Sequence, residues 1–218
     1  MDTNDNSNSK YTDNTLLLFA TPIYICRDYS SNEYGIYETY AEQAKVKLNL
    51  GQNFSSIETN ILDLPHYSEI KNRIMHGLSD YTSNLLCIND NHEFYITQSW
   101  LNVNPPNTTH HRHNHANALV SGVYYIDTTE NDSITFTTQN TTTITNNPTL
   151  QIDVNQFNLA NSNAWQVPVN NNEIVFFPST TYHEVSMNTS TKNRISLSFN
   201  CFIKGPLGNN ETMTGLQL

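Results

Sequence analysis

Four of the eight histidines in this 218-residue chain lie in one hexapeptide, His110-His111-Arg112-His113-Asn114-His115. Neutral imidazole is a frequent ligand for transition metals, so the cluster points to metal chemistry. Side chains of an extended strand alternate between faces, which puts His111, His113 and His115 on one face and His110 and Arg112 on the other. Two imidazoles at i and i+2 can then hold one ion from a single strand. Either His111 with His113 or His113 with His115 satisfies that geometry. A third imidazole, His183, comes 68 positions after His115, just beyond the apolar run Ile174-Val175-Phe176-Phe177-Pro178-Ser179. That run reads as a buried strand ending in a turn, an element that delivers a ligand rigidly.

Eleven residues past His183 begins Arg194-Ile195-Ser196-Leu197-Ser198-Phe199-Asn200-Cys201-Phe202, in strict alternation. Arg194, Ser196, Ser198 and Asn200 share one face, and Ile195, Leu197, Phe199 and Cys201 share the other. A polar strand face carrying one arginine suggests a carboxylate pocket, because a guanidinium grips a carboxylate through two parallel hydrogen bonds and neighbouring hydroxyls add a third. On residue types alone zinc stands beside iron, since three imidazoles and an open position also describe zinc enzymes. His110 and His111 read as exposed residues after the Pro105-Pro106 turn, and His66, His76 and His92 as surface residues without partner spacing. Trp100, Tyr124, Tyr125, Phe176 and Phe177 read as core aromatics.

The elements that must position these groups are mostly strands. From Phe94 onward, apolar segments separated by Asn, Pro, Gly and Thr clusters predict strands near 94–104, 111–126, 133–138, 173–177, 183–188 and 194–203. The Asn- and Thr-rich segment 139–172, with Pro148 and Pro168, reads equally as a loop, a hairpin or a lid. Upstream, apolar spacing of three to four residues predicts helices over 33–50 and 67–88. Segment 16–25 reads as a strand that Thr21-Pro22 confines to an edge or an end. Residues 1–14 are polar and read as a flexible arm, leaving 15–218 as one domain, mainly β with flanking helices (α+β).

Composition excludes several function classes. Ten Lys plus Arg against a net charge of −10 leave no basic stripe, so no dedicated nucleic-acid surface and no anionic-membrane surface is expected. Cys26, Cys87 and Cys201 form no C-x-x-C pair and are odd in number, which suits a reducing compartment. No apolar run is long enough to span a bilayer, and a cytoplasmic protein is expected. An exposed edge strand at the sheet boundary is the feature through which a homodimer would form.

The segments Ser99-Trp100-Leu101-Asn102-Val103-Asn104, His113-Asn114-His115, Ser121-Gly122-Val123-Tyr124-Tyr125, Phe177-Pro178-Ser179, His183 and Arg194-Ile195-Ser196-Leu197-Ser198-Phe199-Asn200, in this order, resemble the 2-oxoglutarate/Fe(II) oxygenase family of marine bacteria and their phages. Leu18-Phe19-Ala20-Thr21-Pro22 resembles that family's start. The resemblance implies a double-stranded β-helix, or jelly roll, of cupin-like kind. It also implies Fe(II) and 2-oxoglutarate as cofactors, O₂ as co-substrate, release of succinate and CO₂, and hydroxylation of an unidentified substrate. Carried over, the metal ligands fall on His113, His115 and His183, the former pair being chosen because it aligns with the downstream Ser121-Gly122-Val123-Tyr124-Tyr125. The oxoglutarate-binding residues fall on Arg194 with Ser196 beside it. Asn102, Asn104 and Tyr124 are expected to hydrogen-bond the cofactor or orient a ligand. Most such oxygenases use two histidines and a carboxylate. A neutral His115 in the carboxylate's place leaves the bare site one charge more positive, which favours the oxoglutarate dianion. Two other readings stand beside this one: an oxoglutarate-independent three-histidine metalloenzyme of cupin type, and a non-catalytic jelly-roll binding or virion-associated module.

Overall fold

The strand signals downstream of residue 93 resolve into two antiparallel sheets in the computed structural model, which describes residues 17–27, 41, 44–50, 52–138, 149–150 and 152–218. In chain order the strands are β1 (Tyr24–Arg27), β2 (Val46–Leu48), β3 (Phe54–Ser56), β4 (Glu93–Asn104), β5 (His110–His113), β6 (Val120–Asp127), β7 (Ser133–Thr137), β8 (Ala164–Pro168), β9 (Glu173–Pro178), β10 (Tyr182–Val185) and β11 (Arg194–Lys204), followed by the short β12 (Pro206–Leu207) and β13 (Leu216–Gln217). The larger sheet has the order β1-β9-β6-β11-β4-β3-β2 and the smaller β5-β10-β7-β8. From β5 onward the chain passes back and forth between the two sheets, except from β7 to β8, which are paired neighbours in the smaller sheet; this is the winding of a double-stranded β-helix.

Helix α1 (Ser68–Ser79) precedes this body and runs on as a π-helical segment, Asp80–Leu85. Its Ile70, Ile74 and Leu78 are buried and recur at helical spacing; with Tyr81 they cover the outer face of the larger sheet, against Leu101, Phe176, Leu197 and Phe199. Gly77 permits this close packing, since a Cβ there would stand 2.8 Å from the Phe176 ring. A second apolar layer, with Val123, Tyr125, Ile134, Phe136, Val175 and Phe177, lies between the sheets. The alternation of β11 divides accordingly, with Ile195, Leu197, Phe199 and Cys201 under the helix and Arg194, Ser196 and Ser198 facing the interior.

Two expectations change, and one left open is narrowed. The helix expected over 33–50 does not reach its end, because Val46–Leu48 is a strand paired with Phe54–Ser56. Turn bonds from Gln52 N to Asn49 O (3.1 Å) and from Asn49 N to Asn53 O (2.8 Å) close this hairpin, so local turn chemistry overrides the helical spacing. Residues 33–40 and the arm over 1–14 lie outside the described residues. The strand expected over 111–126 is two strands in different sheets, broken at 114–119, where Asn117 takes a left-handed conformation (φ 56°). Within 139–172 the structure supplies β8, which closes the smaller sheet beside β7. Strand β1 begins beyond Pro22 and forms one edge of the larger sheet. No helix among the described residues is long and apolar enough to cross a membrane.

Candidate metal centre

His113 ends β5 and stands directly across from His183 on β10, the two Cα atoms being register partners. His115 lies just past the strand, where its backbone N–H donates to the Ser179 carbonyl at 2.9 Å. Ring centroids are 4.4 Å apart for His113 and His183, and 5.1 Å apart for His115 and either of the other two. One ligand atom from each ring lies within 4.8 Å of the others. The Nε2 atoms of His115 and His183 are 3.3 Å apart. Two nitrogens about 2.1 Å from one ion stand that far apart when they subtend roughly 100° at it.

Each ring is held from behind. His113 Nδ1 donates to the His111 carbonyl at 2.7 Å and His183 Nδ1 to the Thr181 carbonyl at 3.0 Å. A carbonyl can only accept, so both Nδ1 atoms carry the proton and both Nε2 lone pairs are free. Asn200 hydrogen-bonds His115 and itself accepts from Ser121 Oγ at 2.8 Å, while the Trp100 indole stacks over the His115 ring at 5.7 Å. Backing contacts of this kind fix tautomer and ring orientation in metal sites. Burial lowers the His183 pKa to about 3, aided by neighbouring imidazoles and opposed by the Thr181 bond. Burial and His113 lower His115 to about 4, and burial holds His113 below the ordinary imidazole range. All three are thus uncharged at neutral pH, the form that binds a cation. The 3.3 Å contact is a hydrogen bond when His115 carries its proton on Nε2, and in the other tautomer it sets two lone pairs face to face, an arrangement that a cation between them relieves.

On the facing sheet, Arg194 is almost fully enclosed. Its Nη1 donates to Asp132 Oδ1 at 2.6 Å, with side-chain exposures of 5% and 3%. The same carboxylate oxygen accepts the Ser133 N–H at 2.8 Å. Arg194 Nη2 and Asn104 Nδ2 are buried without a hydrogen-bond partner, and these two residues are register partners across β11 and β4. Two adjacent orphan donors, one of them cationic, are what a bound carboxylate would satisfy. Asn102 is differently committed, donating to Ser198 Oγ at 2.8 Å and accepting from Ser55 Oγ at 3.2 Å. Arg194, Ser196, Ser198, Asn102, Asn104 and the three imidazoles all line one interior cavity, which is tight, about 30 Å³, room for a few waters.

Other expectations fail here. Tyr124 points the opposite way, into the helix-covered layer, where its hydroxyl donates to Asn172 Oδ1 at 2.5 Å. Its neighbour Tyr125 lines the cavity instead. His111 is exposed and contributes only its carbonyl. His110, read above as a surface residue, faces the interior. His183 pairs with His113 but Val185 pairs with His110, so three steps on β5 match two on β10, and this irregularity restores His110 to the face of His113. Among the described residues no carboxylate joins the three rings, and the nearest candidate by sequence role, Asp132, serves Arg194 instead. Asp132, Asn200, Ser121 and His110 were not assigned as site residues. His110 carried a signal by belonging to the histidine cluster, and Asn200 by sharing the polar face of β11 with Arg194.

Residues 98–200, just under half of the chain, match the family model described as "Putative 2OG-Fe(II) oxygenase". Among solved structures the fold is similar to a 2OG-Fe(II) oxygenase family oxidoreductase from Burkholderia pseudomallei, at a TM-score of 0.57 and 11% identity over 82% of this chain and 83% of that one. It is also similar to a prolyl-4-hydroxylase from Pseudomonas putida (TM-score 0.54, 11% identity, 83% and 92% covered). A third is HygX from Streptomyces hygroscopicus, solved with nickel, 2-oxoglutarate and hygromycin B (TM-score 0.55, 10% identity, 86% and 84% covered). No curated protein matches the chain in sequence. The stretch that carries the three imidazoles and Arg194 is therefore the stretch that matches the 2OG-Fe(II) oxygenase family, and it is set in the double-stranded β-helix fold of such oxygenases.

Proposed function

We propose that this chain is an Fe(II)- and 2-oxoglutarate-dependent dioxygenase, within that class a hydroxylase, with His113, His115 and His183 holding the iron and Arg194 the distal carboxylate of oxoglutarate. The observation that carries the reading is the pairing of two unsatisfied features in one cavity. Three neutral imidazoles each bring one ligand nitrogen within 4.8 Å of the others, and across from them Arg194 Nη2 and Asn104 Nδ2 lack an acceptor. With its iron and oxoglutarate bound, such a site uses O₂ to oxidise a C–H bond, releasing succinate and CO₂.

The chain's own contributions follow from the geometry. The carbonyls of His111 and Thr181 and the Asn200 side chain hold the ligand rings in place, so little reorganisation remains for metal binding. Asp132 fixes the Arg194 guanidinium by Nη1 and leaves Nη2 for the cofactor. The small cavity volume means that admitting oxoglutarate displaces enclosed water and moves side chains apart. For the substrate, a cavity of about 370 Å³ lies one side chain away, where Phe136 faces both it and His183. Trp165, Leu159, Ile23 and Val167 give it an apolar wall, Ser162, Asn163 and Thr181 supply polar groups, and among the described residues no acidic or basic side chain lines it. These features suit an uncharged substrate group.

One observation favours a second reading, the oxoglutarate-independent three-histidine enzyme: Arg194 already has an anionic partner in Asp132. Anaerobic addition of Fe(II) and then 2-oxoglutarate separates the two. The proposed function requires one iron per chain, a metal-to-ligand charge-transfer band on adding oxoglutarate, and weakening of that step in Arg194→Met. Stoichiometric iron with no such band in the wild-type protein overturns it in favour of the second reading. Absence of stoichiometric iron overturns both.

A further inference from the structure

His110 belongs to the histidine cluster, yet it is not among the three rings whose nitrogens converge. Its ring stacks on His113 at 4.6 Å with an interplanar angle of 17° and lines the same interior cavity. The ligand rings are each clamped by a hydrogen bond from behind. His110, by contrast, makes no ring hydrogen bond to any described residue. A partly buried imidazole with no ring hydrogen bond among the described residues is available to something that enters the cavity.

Topology says which end of the cavity it serves. Asn104 ends β4 and His110 begins β5, so the short connection over 105–109 places them at the same end of the sandwich. Val185, the register partner of His110, ends β10, and Arg194 begins β11 after the next connection. His110 is therefore grouped with Asn104 and Arg194, one register pair along from His113 and His183. An imidazole ring carries at least one N–H donor in every protonation state. Beside the two orphan donors Arg194 Nη2 and Asn104 Nδ2, it makes a third donor around the same end.

We infer that His110 is a positioning residue for the oxoglutarate, its ring N–H donating to the distal carboxylate alongside Arg194 and Asn104. The inference rests on the function proposed above and adds a contact specific to this chain, created by the bulge that turns His110 inward. The ring also buttresses His113, so the test must separate a cofactor contact from packing.

Two variants do so: His110→Phe keeps a flat ring for the stack but removes the donor, and His110→Gln keeps a donor without the ring. Iron stoichiometry is measured first. Binding of 2-oxoglutarate and of 2-oxobutyrate, which chelates in the same way but lacks the distal carboxylate, is then titrated anaerobically by charge-transfer absorbance. A hydrogen bond to a charged group is worth roughly ten- to a hundredfold in affinity. His110→Phe is expected to bind iron normally, lose about that factor for 2-oxoglutarate and leave 2-oxobutyrate binding unchanged, with His110→Gln in between. Equal weakening of both oxo acids, no weakening of either, or loss of iron from His110→Phe overturns the inference while leaving the proposed function standing. Wild-type protein that binds iron but neither oxo acid overturns both.

Discussion

Replacing Asp132 by Asn tests the Arg194 environment most sharply. The substitution keeps shape and the acceptor for the Ser133 N–H but removes the anion 2.6 Å from a guanidinium that is only 5% exposed. Removing one partner of a buried ion pair leaves an uncompensated buried charge and costs about 3–5 kcal/mol. For a domain of this length that corresponds to a fall in Tm of roughly 6–20 °C. If oxoglutarate presents its own carboxylate to the same guanidinium, the ligand replaces the lost anion. The charge-assisted bond then adds about 1.5–3 kcal/mol to the protection that excess oxoglutarate gives the variant over the wild type. Thermal melts of both proteins, loaded with a redox-inert divalent metal and run with and without saturating 2-oxoglutarate, measure both quantities. A loss below about 1 kcal/mol would show that the pair is not enclosed. A normal loss with equal protection of the two proteins would refute the placement of oxoglutarate at Arg194.

Three further outcomes are expected. Asn200→Ala removes the bond that holds His115 from behind, and metal affinity in a competitive chelator titration should fall by roughly 10–100-fold, since such supporting contacts typically carry that much. Gly122→Ala brings a methyl against the Phe199 ring and within 2.8 Å of the Val175 carbonyl oxygen. Overpacking of this kind costs about 1–3 kcal/mol in urea unfolding, and an unchanged midpoint would contradict the close approach of β6 to β11. Burial pushes the Cys201 thiol up from 9.0 to about 12 and the Tyr81 phenol up from 10.0 to about 12. Their stabilising effect is fully present below pH 9, where folded and unfolded forms are both protonated, and is lost as pH rises toward 12, by at most about 1.4 kcal/mol per pH unit for each group. Cys201→Ala should flatten the decline in urea stability between pH 9 and 11, and an unchanged slope would show that the thiol is accessible.

What the sequence made legible follows the places where one face of a strand is polar. In β11 the Arg-Ser-Ser and Ile-Leu-Phe positions alternate without interruption, so the inward face was readable and Arg194 lies where alternation puts it. Segment 120–126 is buried on both faces. A continuous apolar run carries no parity, which is why Tyr124 and Tyr125 could not be told apart. In β5 alternation misled, because an irregular pairing with β10 exchanged the faces of His110 and His111, and nothing local announces a bulge in a run of histidines. Asp132 reads as an ordinary turn residue between β6 and β7. Its partner lies 62 positions away, and a contact of that separation leaves no trace in spacing. The hairpin over 46–56 was mistaken for the tail of a helix because Val46 and Leu50 also satisfy a spacing of four.

Strand β5 is four residues long, lies at the edge of the smaller sheet and has only two register pairs to its single neighbour. An ion gripped by His113, His115 and His183 would rivet this border to β10 from inside. Occupancy of the centre thereby becomes a mechanical variable, with the empty protein expected to fray first along 110–115 and the loaded one to protect those amides from deuterium exchange. The same rivet would shield an open strand margin from pairing with another chain, so chelation should raise the tendency to aggregate well before the helix-covered layer loosens.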